Sequence, residues 1–374
     1  MSISTEITRI LNSKTAIKNA IKEKGVEVLD SDKIDTYANK ISSISGDSIA
    51  INEYNPEIDE WGWSNFLGIY HNIETLPDDI SFKTFEGAFY NMSSLKKLPK
   101  INMSKIDIMR NSFYYCKSIE SIKGIDTSEV ENFESAFVSC EKLKEIEIDT
   151  SNGEEMGSAF AGCKALTSMP NINLLKATAI SAIFANCSSI LEASIDAPLA
   201  TKASNIFSGC TNLKKITKFN IPLAEYSVSC FENCSNLEEI NNITFGNIKS
   251  LYSMFKNCSS LEEIPEINCS NVNGLDYFVD GCSNLTNLGP LTNLGQAYGT
   301  GYNTAHNFSK KLDLSTCPLL THDSLVAIFN GLYDLNLATT FYTQDIVLGS
   351  TNYAKLTAEE IEIATNKGWT VLEG

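Results

Sequence analysis

Residues 137–148 read Phe-Val-Ser-Cys-Glu-Lys-Leu-Lys-Glu-Ile-Glu-Ile, and their skeleton of Phe, two residues, Cys, two residues, Leu, two residues, Ile recurs along most of the chain. The anchors of the cysteine column are Met92, Cys116, Cys140, Cys163, Cys187, Cys210, Cys234, Cys258 and Cys282, with steps of 24, 24, 23, 24, 23, 24, 24 and 24 residues. So constant a period means one unit stacked on copies of itself, and it predicts an α/β solenoid of 23–24-residue coils.

Each coil divides into two halves. Apolar residues fall seven, four, three and zero places before the anchor, as in Phe133, Ala136, Phe137 and Cys140. That is the one-sided spacing of a short helix or 3-10 segment. The other half is extended, with Leu143, Ile146 and Ile148 spaced as a strand spaces them. Short parallel strands are therefore expected on one face and short helical or 3-10 segments on the other. The coils anchored at Cys140 and Cys187 are one residue short, and the gap falls after Ile146 and Ala193, just past the expected strand. Pro99, Pro170 and Pro265 stand at the same place, where a ladder donor can be spared. Eight of the 11 cysteines share the anchor column, which stacking turns inward, so free buried thiols are expected. Cys230, four places before an anchor, has the same reading.

The ends differ from the middle. In residues 1–46, Ser4 can cap a helix carrying Ile7, Ile10, Leu11, Ile17 and Ile21 at helical spacing, with Gly25 as its stop. A second short helix follows through Ile34, Tyr37, Ile41 and Ile44. Two such helices bury little alone, which predicts a small helical module for attachment or oligomerisation, or else a cap lying on the coils. Residues 47–84 read as a linker and a degenerate first repeat, residues 85–294 as the regular coils, and residues 295–374 as a loop and an α/β C-terminal cap. The cap predicts strands near Leu312 and Ile346, a helix capped by Thr321, and a second helix opened by a capping box of Thr357 and Glu360. Its role would be to cover the open end of the sheet.

A net charge of -17 argues against nucleic acid, whose phosphates need a basic surface. No apolar run approaches the roughly 18 residues of a membrane span, and no signal peptide opens the chain, so cytoplasmic synthesis without membrane insertion is expected. His71, His306 and His322 stand singly, without a phosphate loop or a His-Glu metal motif. Neither catalysis, a metal nor a cofactor is expected.

Two binding candidates remain. Positions four and five after each anchor should be exposed beside the strand, and there Glu238 and Glu239 would stack on Glu262 and Glu263, about 4.8 Å apart. A solvated acidic face is the plain reading; a partner-binding or weak cation site is the other. Tyr298 and Tyr302, in a loop rich in Gly and Asn, offer adaptable recognition, or simply pack on the last coil.

Residues 126–143, Asp-Thr-Ser-Glu-Val-Glu-Asn-Phe-Glu-Ser-Ala-Phe-Val-Ser-Cys-Glu-Lys-Leu, and residues 271–285, Asn-Val-Asn-Gly-Leu-Asp-Tyr-Phe-Val-Asp-Gly-Cys-Ser-Asn-Leu, resemble leucine-rich repeats of the BspA type. The stretch from Ile7 to Val26, with Ile34-Asp-Thr-Tyr-Ala, is similar to the opening of tailed-phage and prophage structural proteins. Leu348-Gly-Ser-Thr-Asn-Tyr-Ala-Lys-Leu-Thr, with Ala364-Thr-Asn-Lys-Gly-Trp-Thr, is similar to the close of phage-associated members of the repeat family. Together the resemblances imply a virion protein of the tail-fibre, head-fibre or decoration type, held to other virion proteins by its N-terminal helices. It would display the repeats toward a host-surface or mucosal protein or glycan, and a homo-oligomer stays open. A bacterial surface adhesin and a cytoplasmic protein-interaction scaffold of the same fold are the alternatives.

Overall fold

The computed structural model describes residues 17–19, 80–81, 85–98, 101–102, 106–297, 311–338 and 343–374. Residues 17–19 are helical. Ile7, Ile10, Leu11, Ile21, Tyr298, Tyr302, His71 and His306 lie outside the described residues, as do nearly all of the expected N-terminal module and degenerate first repeat.

Between Phe85 and Leu294 the chain forms coils stacked in register. Their centre is a column of phenylalanines, one per coil. From Phe89 through Phe113, Phe137, Phe160, Phe184, Phe207 and Phe231 to Phe255, neighbouring rings lie 5.0–6.0 Å apart and within 18° of parallel. Offset stacking at this separation adds to the area each ring buries. The anchor cysteines form the next column, all buried and all free. Each thiol donates to the carbonyl of the phenylalanine in the coil before it, as Cys140 Sγ does to Phe113 O at 3.2 Å and Cys187 Sγ to Phe160 O at 3.0 Å. The cysteine is thus a small apolar filler with one weak donor, and the donor spans two coils.

The wall expected to be helical or 3-10 is neither. It is a ribbon of turns in which backbone N–H groups alternate between two targets. Ala136, Val138 and Cys140 donate three residues back, to Phe133, Ser135 and Phe137, whereas Phe133, Ser135, Phe137 and Ser139 donate to Glu155, Gly157, Ala159 and Ala161 of the next coil. The third residue of the turns has positive φ, the position a type II turn reserves for it: Ser135 at 56° and Ser139 at 57°. The same two positions, five and one before the anchor, are left-handed in every coil from Met92 to Cys282, and Asn, Ser and Gly fill most of them. A four-residue turn repeat and a helix both bring positions seven, four, three and zero to one side, so apolar spacing alone could not separate them.

The opposite wall carries short parallel strands in up to two positions per coil. Ser121–Ile122 pairs with Glu145–Ile146, and Glu192–Asp196 pairs with Lys215–Ile221, which pairs in turn with Glu239–Ile240 and Ile243–Phe245. The short coil at Cys187 is accommodated inside the strand rather than after it. Ala193 opposes Ile216 and Ser194 opposes Lys218, which leaves Thr217 as a one-residue bulge. Beyond the bulge, Phe219 is buried and packs 4.9 Å from Phe231.

Past Leu294 the coils lengthen instead of stopping. Strands Lys311–Asp313, Gln344–Val347 and Trp369–Leu372 form a parallel sheet, joined through helices His322–Gly331 and Ala358–Thr365. Thr321 caps the first helix and the Thr357–Glu360 capping box opens the second. The thiol bond also continues, since Cys317 Sγ donates to Val279 O at 3.3 Å. One coil further, Asn352 takes the thiol's place, its Nδ2 donating to Leu314 O and Cys317 O. The first helix closes the end of the regular coils: Ser324 Oγ donates to Leu288 O and accepts from Leu288 N, both at 2.9 Å. Lys367 Nζ reaches back to the carbonyls of Phe329, Asn330 and Leu332 at that helix's C-terminus.

Candidate functional site

The two acidic pairs behave differently. Glu239 lies 2.7 Å from Lys215 Nζ and Glu238 lies 3.8 Å from Lys214 Nζ, so the preceding coil supplies a cation for each. Hydrogen bonds from Lys215 and Asn241 hold the Glu239 carboxyl below its ordinary value. Glu262 and Glu263 are exposed and form no ion pair among the described residues. Between the two pairs the sheet stops: Glu239–Ile240 and Glu263–Ile264 belong to separate sheets. Like charges face each other there, and Pro265 stands where Asn241 and Gly289 donate to Ile216 and Ile264 of their preceding coils. Proline has no N–H to give.

Pro170 does the same four coils earlier, with a larger result. Glu147 N donates to Ile122 O, so the residue in Pro170's place would donate to Ile146 O. On the other flank Ser194 N is drawn to Met169 Sδ at 3.2 Å, a weak acceptor, instead of to a carbonyl. The coil anchored at Cys163 consequently has no strand. Glu145–Ile146 ends one sheet and Glu192–Asp196 is the outer strand of the next.

A groove of about 870 Å³ runs beside the Glu192–Asp196 edge, floored by Met169, Pro170 and Ile172 and rimmed by Asp149, Asn171 and Glu192. A second groove of about 410 Å³ shares Ile148, Asp149 and Asn171 with it and runs on toward Ile125. Buried threonine hydroxyls stitch the coils along this line. Thr127 Oγ1 bonds both Asp149 O and Asp149 N at 2.8 Å, and Thr150 Oγ1 bonds Asn173 O at 3.0 Å and Asn173 N at 2.7 Å. Bonds from the backbone and side chain of Ser151 keep the Asp149 carboxyl below its ordinary value. Asp196 is lowered likewise, by Asn220 Nδ2 and Lys218 Nζ. From the groove's rim a row of half-exposed leucines, Leu175, Leu199 and Leu223, crosses three coils.

The groove was not foreseen from the sequence; the signal available was Pro170 itself. Among the described residues no cluster of three or more His, Cys, Asp or Glu side chains could hold a metal ion, and no helix is long and apolar enough to cross a membrane. His322 is held by Asp323 at 2.9 Å and Glu360 at 2.7 Å, contacts that tie one helix start to the other.

Residues 83–198 match a family described as "Mycoplasma protein of unknown function, DUF285", and residues 178–293 match, in six copies, the "BspA type Leucine rich repeat region". The thiol-to-carbonyl bonds run unchanged through the overlap, from Cys187 to Phe160 and from Cys210 to Phe184. Among solved structures, a leucine-rich repeat protein from Bacteroides ovatus is 20% identical over 67% of this chain and 81% of its own, with a TM-score of 0.28. A leucine rich cell surface protein from Faecalibacterium prausnitzii is 16% identical over 67% of this chain and 82% of its own, with a TM-score of 0.24. No curated protein matches the chain.

Proposed function

We propose that this run of BspA-type leucine-rich repeats is a binding solenoid, and that its strand wall is the face offered to a partner. The observation that carries the reading is the open groove of about 870 Å³ on that wall. Its floor is apolar and its rim polar, the composition of a recognition cleft. The turn wall has less to offer, because its N–H groups are spent within and between coils.

The setting we propose is a virion, with residues 1–46 holding other virion proteins and the repeats reaching for a host-surface or mucosal protein or glycan. The reading rests on the likeness of residues 7–26 and 348–357 to phage structural proteins. Mass spectrometry of purified particles should find the chain, and its absence would remove the virion role. Fluorescently labelled full-length chain should bind intact host cells or immobilised mucin saturably; failure on both surfaces would remove the binding role. A bacterial surface adhesin is favoured instead if fractionation places the chain in the cell envelope of uninfected cells, in keeping with the BspA-type match of residues 178–293.

A further inference from the structure

We propose that Met169 is a modification site: a methionine on the groove floor that a peroxide converts to its sulfoxide, changing what the groove can bind. The effect on a partner rests on the strand wall being the binding face; the modification itself rests on geometry alone. The chain has seven methionines, of which Met1 and Met103 lie outside the described residues. Met92, Met109, Met156 and Met254 are enclosed within the coils at 0% exposure. Met169 is half-buried and lines the open groove beside Pro170 and Ile172. Among the described residues it is therefore the thioether that a small oxidant can reach from solvent. The 11 cysteines are all buried, so they do not compete for the oxidant.

The sulfur of Met169 also holds two coils together. Glu147, Asn241 and Gly289, each seven places past its anchor, give their N–H groups to main-chain carbonyls of the preceding coil, those of Ile122, Ile216 and Ile264. Ser194 stands at the same place in its own coil and gives its N–H to Met169 Sδ at 3.2 Å. A thioether is a weak acceptor, and one N–H occupies only one of its two lone pairs. In the oxidation the other pair attacks an oxygen of hydrogen peroxide or an alkyl hydroperoxide. An S–O bond forms as the O–O bond breaks, and the departing oxygen takes the remaining proton and leaves as water or an alcohol. Sulfur loses two electrons and the peroxide gains them. The product carries a polar S=O group in place of an apolar thioether. The flexible side chain can swing the new oxygen toward Ser194 N–H, so the tie between coils strengthens while the floor of the groove turns polar.

The test exposes the folded full-length chain to hydrogen peroxide, then unfolds it and digests it with trypsin, which leaves Met169 as the single methionine of residues 165–176. That peptide should gain one oxygen about tenfold faster than the peptides carrying Met92, Met109, Met156 and Met254. Equal rates for all of them would overturn the site. Hydrogen exchange read by NMR should show the Ser194 amide better protected after oxidation; an amide unchanged or less protected overturns the exchange of acceptors. Labelled chain, treated and untreated, is then applied to immobilised mucin and to intact host cells. Treatment should weaken binding about fivefold, and the two methionine sulfoxide reductases, one for each epimer, should restore it. Met169→Leu keeps the volume and lacks the sulfur, so its binding should not respond to peroxide. The same response in Met169→Leu and in the natural chain overturns control of the groove by Met169. A chain that binds neither surface before treatment loses the binding role proposed above, while the mass and exchange measurements still decide the modification.

Discussion

At the scale of single residues, the anchor cysteine shows how a weak group becomes decisive by repetition. Burial pushes the thiols of Cys116, Cys187 and Cys230 from an ordinary 9.0 up to about 12. Unfolded thiols ionise from about pH 9, so between pH 9 and 12 the unfolded chain binds fewer protons than the folded one and stability falls as pH rises. The loss is about 1.4 kcal/mol per pH unit for each such thiol. Urea midpoints should therefore hold steady from pH 7 to 8.5 and drop steeply above 9, and Cys187→Val should shave one thiol's worth from the slope; a midpoint unchanged at pH 10.5 would contradict the buried column. A second residue-scale constraint is Gly246, where an added Cβ would collide with the carbonyl of Pro222. Gly246→Ala should cost about 2–4 kcal/mol, read from the shift in urea midpoint. The cysteine column was legible in the sequence because a 24-residue period exposes any column at once. Gly246 was not, since its constraint lies in a neighbour 24 residues away that no local pattern marks.

At the scale of elements, the turn ribbon and the broken sheet are the two lessons. Positions 139 and 162 hold left-handed Ser and Gly where a helix would tolerate almost any residue. Ser139→Val should cost about 1–2 kcal/mol while Ser139→Asn costs almost nothing, a contrast that a helical wall would not produce. The clue stood in the sequence as Asn, Ser or Gly recurring at positions five and one before the anchor, but the apolar spacing was louder. In the sheet, Glu263→Lys would set a cation opposite Glu239 and should stabilise by about 0.5 kcal/mol, raising the melting temperature by a degree or two. An unchanged melting temperature would assign the break there to Pro265 alone. The acidic pairs were legible as pairs; that Lys214 and Lys215 neutralise one and spare the other depended on which coil each faces. The groove depended on three coils at once, which is why Pro170 read as harmless.

At the scale of the whole molecule, the described bonds between regular coils join residues 22–27 positions apart, so each coil holds the next and little beyond it. Excising residues 235–258 removes one full period, returns Cys234 to the front of Ser259-Ser-Leu, and brings Lys214 and Lys215 opposite Glu262 and Glu263. The shortened chain should fold and unfold cooperatively, as circular dichroism during melting would show. Removing residues 311–374 instead strips Ser324 from Leu288 and bares the last strands, and that chain should aggregate in size-exclusion chromatography. Thr321, the Thr357–Glu360 box and the strand near Trp369 were all readable as local signals. The continuity of Cys317 and Asn352 with the anchor column was hidden by steps of 35 residues in place of 24.

The column of thiols and carbonyls also sets how the molecule responds to load. Because each anchor bond closes a loop of one coil, tension applied to the two ends would unspool the stack turn by turn, freeing about 80 Å of slack with each turn released. A filament anchored at one end and gripped at the other could lengthen many times over while its middle stayed wound, behaving as a shock absorber and not as a rod.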